Sequence, residues 1–404
     1  MPDPPDRGPR KEMLFMNRRE IAKGVYWTGA VDWNRRLFDA LIPLPDGTSY
    51  NAYLVSGSEK TALIDAVDPA MEKVLAGHLA DIAKIDYIVA NHAEQDHSGA
   101  IPMVMGKYPE AVVLCTPKAK PMLVDHLAIP EGRIKSVEDG EEVALGGKTL
   151  RFIHAPWVHW PETMVTYLPE ERILFSCDFF GSHYACSEIC MGRDQIVSES
   201  AKRYYAEIMM PFRKQIVANL KKVRALDIAV IAPSHGPAHT EPGYILSQYE
   251  EWVSERVANS VVIPYISMHG STEMMVDRLT AELASRGVQV HKFDMSGADL
   301  GKLAITLVDA ATIVIGTPTV LGGPHPSVVG AAALANLLRP KLKYAAVIGS
   351  YGWGTRIVEQ VAALIPSLKV EMVGSVICKG MPRQTDLEAI NSLASVIAEK
   401  HALL

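Results

Sequence analysis

The chain has 404 residues, 48% hydrophobic and 21% charged, which supplies more than one core and excludes both a single small module and wholesale disorder. Acidic residues outnumber basic ones by 46 to 40, for a net charge of −6, and no long Lys/Arg run interrupts the chain, so a nucleic-acid partner is not expected. No stretch approaches the ~18 apolar residues of a bilayer span, so no membrane partner is expected either.

Residues 1–18 open with a Pro-rich, charged segment, MPDPPDRGPRKE, that lacks the apolar core of a secretion signal and reads as a disordered tail. The five cysteines, Cys115, Cys177, Cys186, Cys190 and Cys378, are sparse and odd in number, which suits reduced thiols in the cytoplasm. Cys186 and Cys190 have no second pair to complete a thiolate metal site.

Beyond the tail, two grammars meet near residue 255. In 19–255, short β-rich runs at 25–28, 50–55, 61–64, 87–89, 111–115 and 149–153 are separated by turn signals. Helical periods cover 71–85, 118–127 and 201–222, and an apolar strand run follows at 226–231. This pattern predicts a layered α/β sandwich, with sheets inside and helices outside. A polar helical segment at 241–256 reads as the linker. In 256–404, apolar β-branched runs at 261–266, 288–293, 312–315, 344–348 and 370–377 alternate with helical segments, the rhythm of a doubly wound, five-stranded parallel sheet.

The densest chemistry lies just after the apolar run 85–89. In Asn91-His-Ala-Glu-Gln-Asp-His-Ser-Gly99, His92, Glu94, Asp96 and His97 fall within six positions. Carboxylates this close repel one another, and a bound cation is the simplest remedy. Further candidates end other predicted strands: His159 in Pro156-Trp-Val-His-Trp-Pro, Asp178 in Ile173-Leu-Phe-Ser-Cys-Asp, and His235 in Pro233-Ser-His-Gly. A lone His in such a place is more often structural; together they point to metal.

The string His-x-x-x-Asp-His resembles the metal loop of the metallo-β-lactamase fold, except that Glu94 stands where a second His is usual. With the Trp-Val-His-Trp-Pro, Phe-Ser-Cys-Asp and Pro-Ser-His-Gly strings, the chain from about residue 21 onward closely resembles the flavodiiron proteins. That resemblance implies that His92, Glu94 and His159 bind one iron, Asp96 and His235 the second, and that Asp178 bridges them. At the position of His97, some family members place an iron ligand and in others the ring swings away. The mixed carboxylate and imidazole set suits iron, although zinc hydrolysis is open on ligand type alone. Some members carry a His where the stretch 36–41 offers Asp39. His183 and Tyr184 are candidate proton donors.

In the second half, the run 261–266 leads into Ser267-Met-His-Gly-Ser-Thr and a helical segment, a loop whose N–H groups can hold an anion. Gly316-Thr-Pro-Thr-Val-Leu-Gly-Gly and Gly349-Ser-Tyr-Gly-Trp-Gly follow later strands. The set resembles flavodoxin. It implies FMN held by Ser267, Met268, His269, Gly270, Ser271 and Thr272 around the phosphate, with Pro318, Thr319, Leu321 and Gly322 on one side of the ring and Ser350, Tyr351, Gly352, Trp353 and Gly354 on the other.

The implied protein is an oxidoreductase that passes electrons from FMN to a non-haem diiron centre and reduces O2 to water, NO to N2O, or both. The resemblance also implies a head-to-tail homodimer, or a homotetramer built from two. No Cys-x-x-Cys segment follows the flavodoxin-like half, so a separate donor is expected: rubredoxin first, a reduced deazaflavin coenzyme second. The rival readings are a zinc-dependent hydrolase with an accessory flavodoxin-like domain, and an electron carrier with an idle metal site.

Overall fold

The computed structural model describes residues 18–38 and 40–404. Asp39 and all but the last residue of the expected tail lie outside the described residues. That last residue, Arg18, pairs with Asp81.

Two seven-stranded sheets form the first unit. The first runs, in spatial order, Arg19–Ala22, Val25–Trp27, Tyr53–Ser56, Thr61–Ile64, Tyr87–Val89, Val112–Cys115 and Ile134–Ser136. It is antiparallel up to Thr61–Ile64 and parallel beyond. Side chains alternate between its faces. Leu54, Leu63, Ile88 and Val113 turn toward outer helices such as Ile101–Lys107, while Val55, Ala62, Ile64, Val89 and Leu114 turn inward. There they meet Leu150, Phe152 and Phe175 of the second sheet. The opposite face of that sheet, with Ile153, Val165 and Leu174, packs on the helices Gln195–Tyr204, Arg213–Arg224 and Pro242–Val253. The four layers are helix, sheet, sheet, helix.

The second unit orders its parallel strands Gln289–Asp294, Ala258–Tyr265, Ala310–Val320, Tyr344–Tyr351 and Glu371–Lys379, with a two-residue strand, Gly323–Pro324, folded back on the third. Val261, Ile263, Val314 and Ile348 face the helices Ser271–Ser285 and Gln384–His401, and Val262, Ile313, Ile315 and Val347 face the other side. Both faces are covered, which is why these strands read as nearly continuous apolar runs.

Four expectations need correction. The helix expected over 71–85 ends at His78, where Gly77 weakens the last turn. The strand expected over 50–55 is two, Thr48–Tyr50 and Tyr53–Ser56, because Asn51 leaves the ladder and donates its N–H to Ser234 O at 2.8 Å. The helix expected over 201–222 is broken between Tyr205 and Phe212 by a wide turn and a tight one, with Pro211 unable to continue the ladder. The strand expected over 226–231 is Val230–Pro233.

Candidate metal centre and flavin crevice

The loop after Tyr87–Val89 turns sharply into a single helical turn, Gln95–Ser98. Ser98 Oγ closes that turn by donating to Ala93 O and Glu94 O, both at 2.8 Å. His92, Glu94, Asp96 and His97 are thereby presented to a space that His159, Asp178 and His235 reach from the second sheet. Several residues there hold left-handed backbone angles although none is glycine: Asp65 (φ 55°), Trp157 (φ 64°) and, at the end of strand Ile173–Cys177, Cys177 (φ 51°). Such conformations cost about 1–3 kcal/mol each and persist where surrounding structure imposes them. At Gly236 (φ 75°) no larger residue fits, since an added Cβ would lie 2.0 Å from Ser182 Oγ.

The seven side chains fall into two groups that share Asp178. His92, Glu94, His159 and Asp178 each bring one ligand atom within 4.8 Å of the others, as do Asp96, His97 and His235. In the first group, Glu94 Oε2 lies 3.0 Å from His92 Nε2 and 3.1 Å from His159 Nε2, and Asp178 Oδ2 lies 3.5 and 3.4 Å from the same two nitrogens. In the second, His235 Nε2 lies 3.1 Å from Asp96 Oδ2. Asp178 turns its other oxygen to this side, with Oδ1 2.9 Å from His97 Nε2 and 3.6 Å from His235 Nε2.

These groups converge without satisfying one another. Both oxygens of Asp96, both of Asp178 and Nε2 of His235 are buried and form no hydrogen bond. Burying polar atoms in that state costs several kcal/mol, and a pair of cations at the focus of the seven would relieve it. Burial alone would raise the Asp178 carboxyl, but His97, His159 and His92 hold it well below the usual carboxylate range. Donor type fits too: three carboxylates and four imidazoles suit iron and offset most of the charge of two ferrous ions.

A second layer orients the ligands. His92 donates from Nδ1 to Glu162 Oε1 at 2.6 Å, and Ala93 N donates to the same oxygen at 3.1 Å. His235 donates from Nδ1 to Ser49 O at 2.7 Å. Asp65 accepts from Asn91 N and Nδ2 at 2.8 and 2.9 Å, fixing the start of the ligand loop. The Nδ1 of His97, by contrast, is buried with no partner. Sequence reasoning missed Glu162, Asp65, Asn51 and Tyr204. Of the two expected proton donors, His183 lies beside the centre, its ring 4.8 Å from those of both His235 and Tyr204. Tyr184 instead lines a small separate cavity with Cys186 and Glu188. Burial, reinforced by Asp178, holds the Tyr204 phenol well above its usual pKa, so it keeps its proton.

In the second unit, a crevice of about 210 Å³ opens at the C-terminal ends of the strands, where doubly wound sheets bind ligands. Ser267, Met268, His269, Ser271, Thr272, Pro318, Thr319, Ser350, Tyr351 and Gly352 line it, together with Gly380, which sequence reasoning missed. Gly270 caps the helix Ser271–Ser285 with φ 85°. Leu321, Gly322, Trp353 and Gly354 do not line the crevice. Leu321 and Trp353 instead stand almost fully exposed, at 102% and 96%, an unusual place for two large apolar side chains.

A family model described as "ODP family beta lactamase" matches residues 48–236, and one described as "Flavodoxin" matches 263–391. The chain is 36% identical over 397 residues to a protein of Moorella thermoacetica named nitric oxide reductase, covering 95% of this chain and 98% of that one. Among solved structures, the rubredoxin oxygen:oxidoreductase of Desulfovibrio gigas superposes with a TM-score of 0.91 at 29% identity, covering 96% of this chain and 99% of its own. The flavodiiron protein of Giardia intestinalis gives 0.87 at 28%, covering 96% and 100%. With relatives of this identity along nearly its whole length, a lactamase-like unit bearing two clustered ligand groups and a flavodoxin-like unit bearing an open crevice, the chain belongs to the flavodiiron proteins, oxidoreductases that pair FMN with a diiron centre.

Proposed function

We propose that this chain reduces O2 to water and NO to N2O, with His92, Glu94 and His159 holding one iron, Asp96, His97 and His235 the other, and Asp178 shared between them. The observation that carries this reading is the set of buried Asp96 and Asp178 oxygens that form no hydrogen bond although imidazole nitrogens lie 2.9 and 3.1 Å away; a pair of cations between carboxylates and imidazoles would satisfy both. When bound, the two cofactors supply the electrons: FMN accepts them singly or in pairs, and the irons deliver them to the gas.

The side chains of this protein do the remaining work. Glu162 and the Ser49 carbonyl fix the tautomers of His92 and His235 so that each presents Nε2 to the centre. Phe38, with its ring 5.0 Å from that of His183, and Tyr50, 5.8 Å from that of His235, wall off bulk water. Both reductions consume protons, which the Tyr204 hydroxyl is placed to supply; burial, with His235 adding to it, holds the His183 imidazole well below its usual pKa and so uncharged. His97 is the adjustable ligand, because nothing anchors its Nδ1.

The crevice would hold FMN, with the residues of the loop 267–272 at its phosphate and those of the loops 318–322 and 350–354, Leu321 and Trp353 among them, at its ring. Met268 at the crevice, Trp353 in the loop beside it and Trp157, two residues before the ligand His159, expose apolar surface. This supports a head-to-tail homodimer, alone or paired into a homotetramer, in which the flavin of one chain meets the irons of its partner. The units divide at 255/256, between the end of Pro242–Val253 and the start of Ala258–Tyr265. Reduced rubredoxin is the donor, with a reduced deazaflavin as second choice. A cytoplasmic location accords with the five free cysteines. No helix of the described residues is long and apolar enough to cross a membrane.

The test is steady-state turnover on protein of known iron and FMN content, with NO under anaerobic conditions and separately with O2, using each donor in turn. Turnover with both gases is expected. Turnover with neither gas from either donor would sink the reading.

A further inference from the structure

A cleft of about 660 Å³ opens where the turn before helix Arg213–Arg224 meets two loops of the second unit, one before strand Tyr344–Tyr351 and one after helix Ile357–Leu364. Six of its side chains are basic, Arg213, Lys214, Arg339, Lys341, Lys343 and Lys369, against one carboxylate, Glu255. In a chain with more acids than bases, that concentration runs against the average.

Two of the six already have partners. Arg213 donates to Glu255 at 2.8 Å, and the Lys341 amine donates to Trp252 O at 3.3 Å and lies 3.7 Å from Asp309. Among the described residues the cleft's cations form ion pairs only at Arg213 and Lys341, which leaves Lys214, Arg339, Lys343 and Lys369 without one. Like charges gathered in one concavity repel, and an anion is what would offset them. Burial lowers the pKa of Lys341; Asp309 opposes this and Arg213 and Lys202 add to it.

Two further observations point the same way. Arg339 closes helix Pro326–Leu338 in the left-handed conformation, with φ 49°, where Gly or Asn is the low-cost choice. A long cation at such a position suits a role for its side chain. Pro211, Pro340 and Pro366 frame the cleft and fix the backbone around it, so its shape is largely set in advance. The flavin phosphate is not its ligand: the crevice lies at the other end of the eight-residue strand Tyr344–Tyr351, roughly 25 Å away at about 3.3 Å per residue.

The volume is that of a small-molecule site, and clustered Lys and Arg bind phosphate oxygens through charge-assisted hydrogen bonds. We propose that this cleft between the two units binds a small ligand carrying a di- or triphosphate group. A nucleoside triphosphate and inorganic tripolyphosphate share that chemistry, and the four unpaired cations recognise the shared part.

The test is calorimetric titration of the full-length, FMN- and iron-loaded protein at low salt, where surface charge is least screened, with tripolyphosphate, ATP and a poly-glutamate peptide. Saturable binding of tripolyphosphate is expected, at one ligand per chain. Tighter binding of ATP would assign the natural ligand to nucleotides, and equal binding to the phosphate chain alone. Lys343→Glu and Lys369→Glu should each weaken binding at least about tenfold, the scale of one charge-assisted contact, with Lys214→Glu in reserve should either fail to fold. Lys73→Glu, on an exposed helix face elsewhere, should leave it unchanged. Arg339→Gly should weaken binding while raising the unfolding temperature, a combination that a purely structural residue would not give. Three results would overturn the proposal: no saturable binding, binding indifferent to the Lys343 and Lys369 variants, or binding of poly-glutamate without tripolyphosphate.

Discussion

Glu162 contributes no ligand atom, yet it sets the orientation of one. Its carboxylate, fully buried, accepts from His92 Nδ1 at 2.6 Å, so Glu162→Gln should lower iron affinity by about 10–100-fold, the usual penalty for losing such an orienting partner. Metal analysis after dialysis checks this, and unchanged retention would remove Glu162 from the account. Tyr204→Phe should leave the iron content intact and lower kcat by about 10²-fold or more if its hydroxyl delivers protons; an unchanged kcat would point to a packing role. His92, Glu94, Asp96 and His97 were legible because four potential ligands crowd six positions. Glu162 was not, since one acidic residue after a Pro gives no sign that folding will bury it beside His92. Tyr204 reads as one more apolar position of an amphipathic helix, and only the packing of that helix against His183 and His235 gives it a role.

Helix and strand periods carried most of the element-scale reading, and the failures have local causes. The break at 205–212 escaped because the helices on both sides bury side chains in the same core, Tyr204 before it and Ile216 and Leu220 after it, so the apolar period persists across Pro211. The run 50–55 reads as one strand because Tyr50, Tyr53, Leu54 and Val55 favour strands, whereas Asn51 bonds to the loop of His235: its Nδ2 donates to Pro233 O and Gly236 O at 2.8 and 2.7 Å. Hydrogen bonds of that range leave no periodic trace. The parallel strands of the second unit were the easiest to read, being buried on both faces, but their close approach was not visible in their composition. A Cβ at Gly349 would lie 2.1 Å from Thr317 O and 2.8 Å from Ile357 Cδ1. Gly349→Val should therefore cost about 2 kcal/mol or more and distort the adjoining crevice. Thermal unfolding and FMN retention test this, and a fully stable, flavin-replete variant would contradict the packing described.

At the scale of the whole molecule, the two units meet through apolar contacts and a cluster of ions. Ala304, Val308 and Leu338 of the second unit join the core around Tyr205 and Trp252. Arg203 grips Asp299 with two bonds, at 2.8 and 3.0 Å, and Lys202 reaches Asp309 at 2.5 Å. Beside them burial raises the Glu207 carboxyl from 4.5 to about 7, with Arg203, 3.2 Å away, opposing and Asp299 adding to the shift. The folded chain keeps this proton to higher pH than the unfolded chain, so its contribution to stability falls as pH rises from about 4.5 to about 7 and then levels off, by up to roughly 3 kcal/mol. Glu207→Gln should remove that decline, so the variant gains on the parent between pH 5 and 7.5 in denaturant unfolding; parallel curves would refute the assignment. A diiron centre fed by a flavin can be checked by metal analysis followed by stopped-flow mixing of the fully reduced protein with O2 and, separately, with NO. A pair of irons and one FMN per chain are expected, with both cofactors oxidised rapidly and in stoichiometric amount. Zinc in place of iron, or oxidation by neither gas faster than that of free reduced flavin, would contradict it.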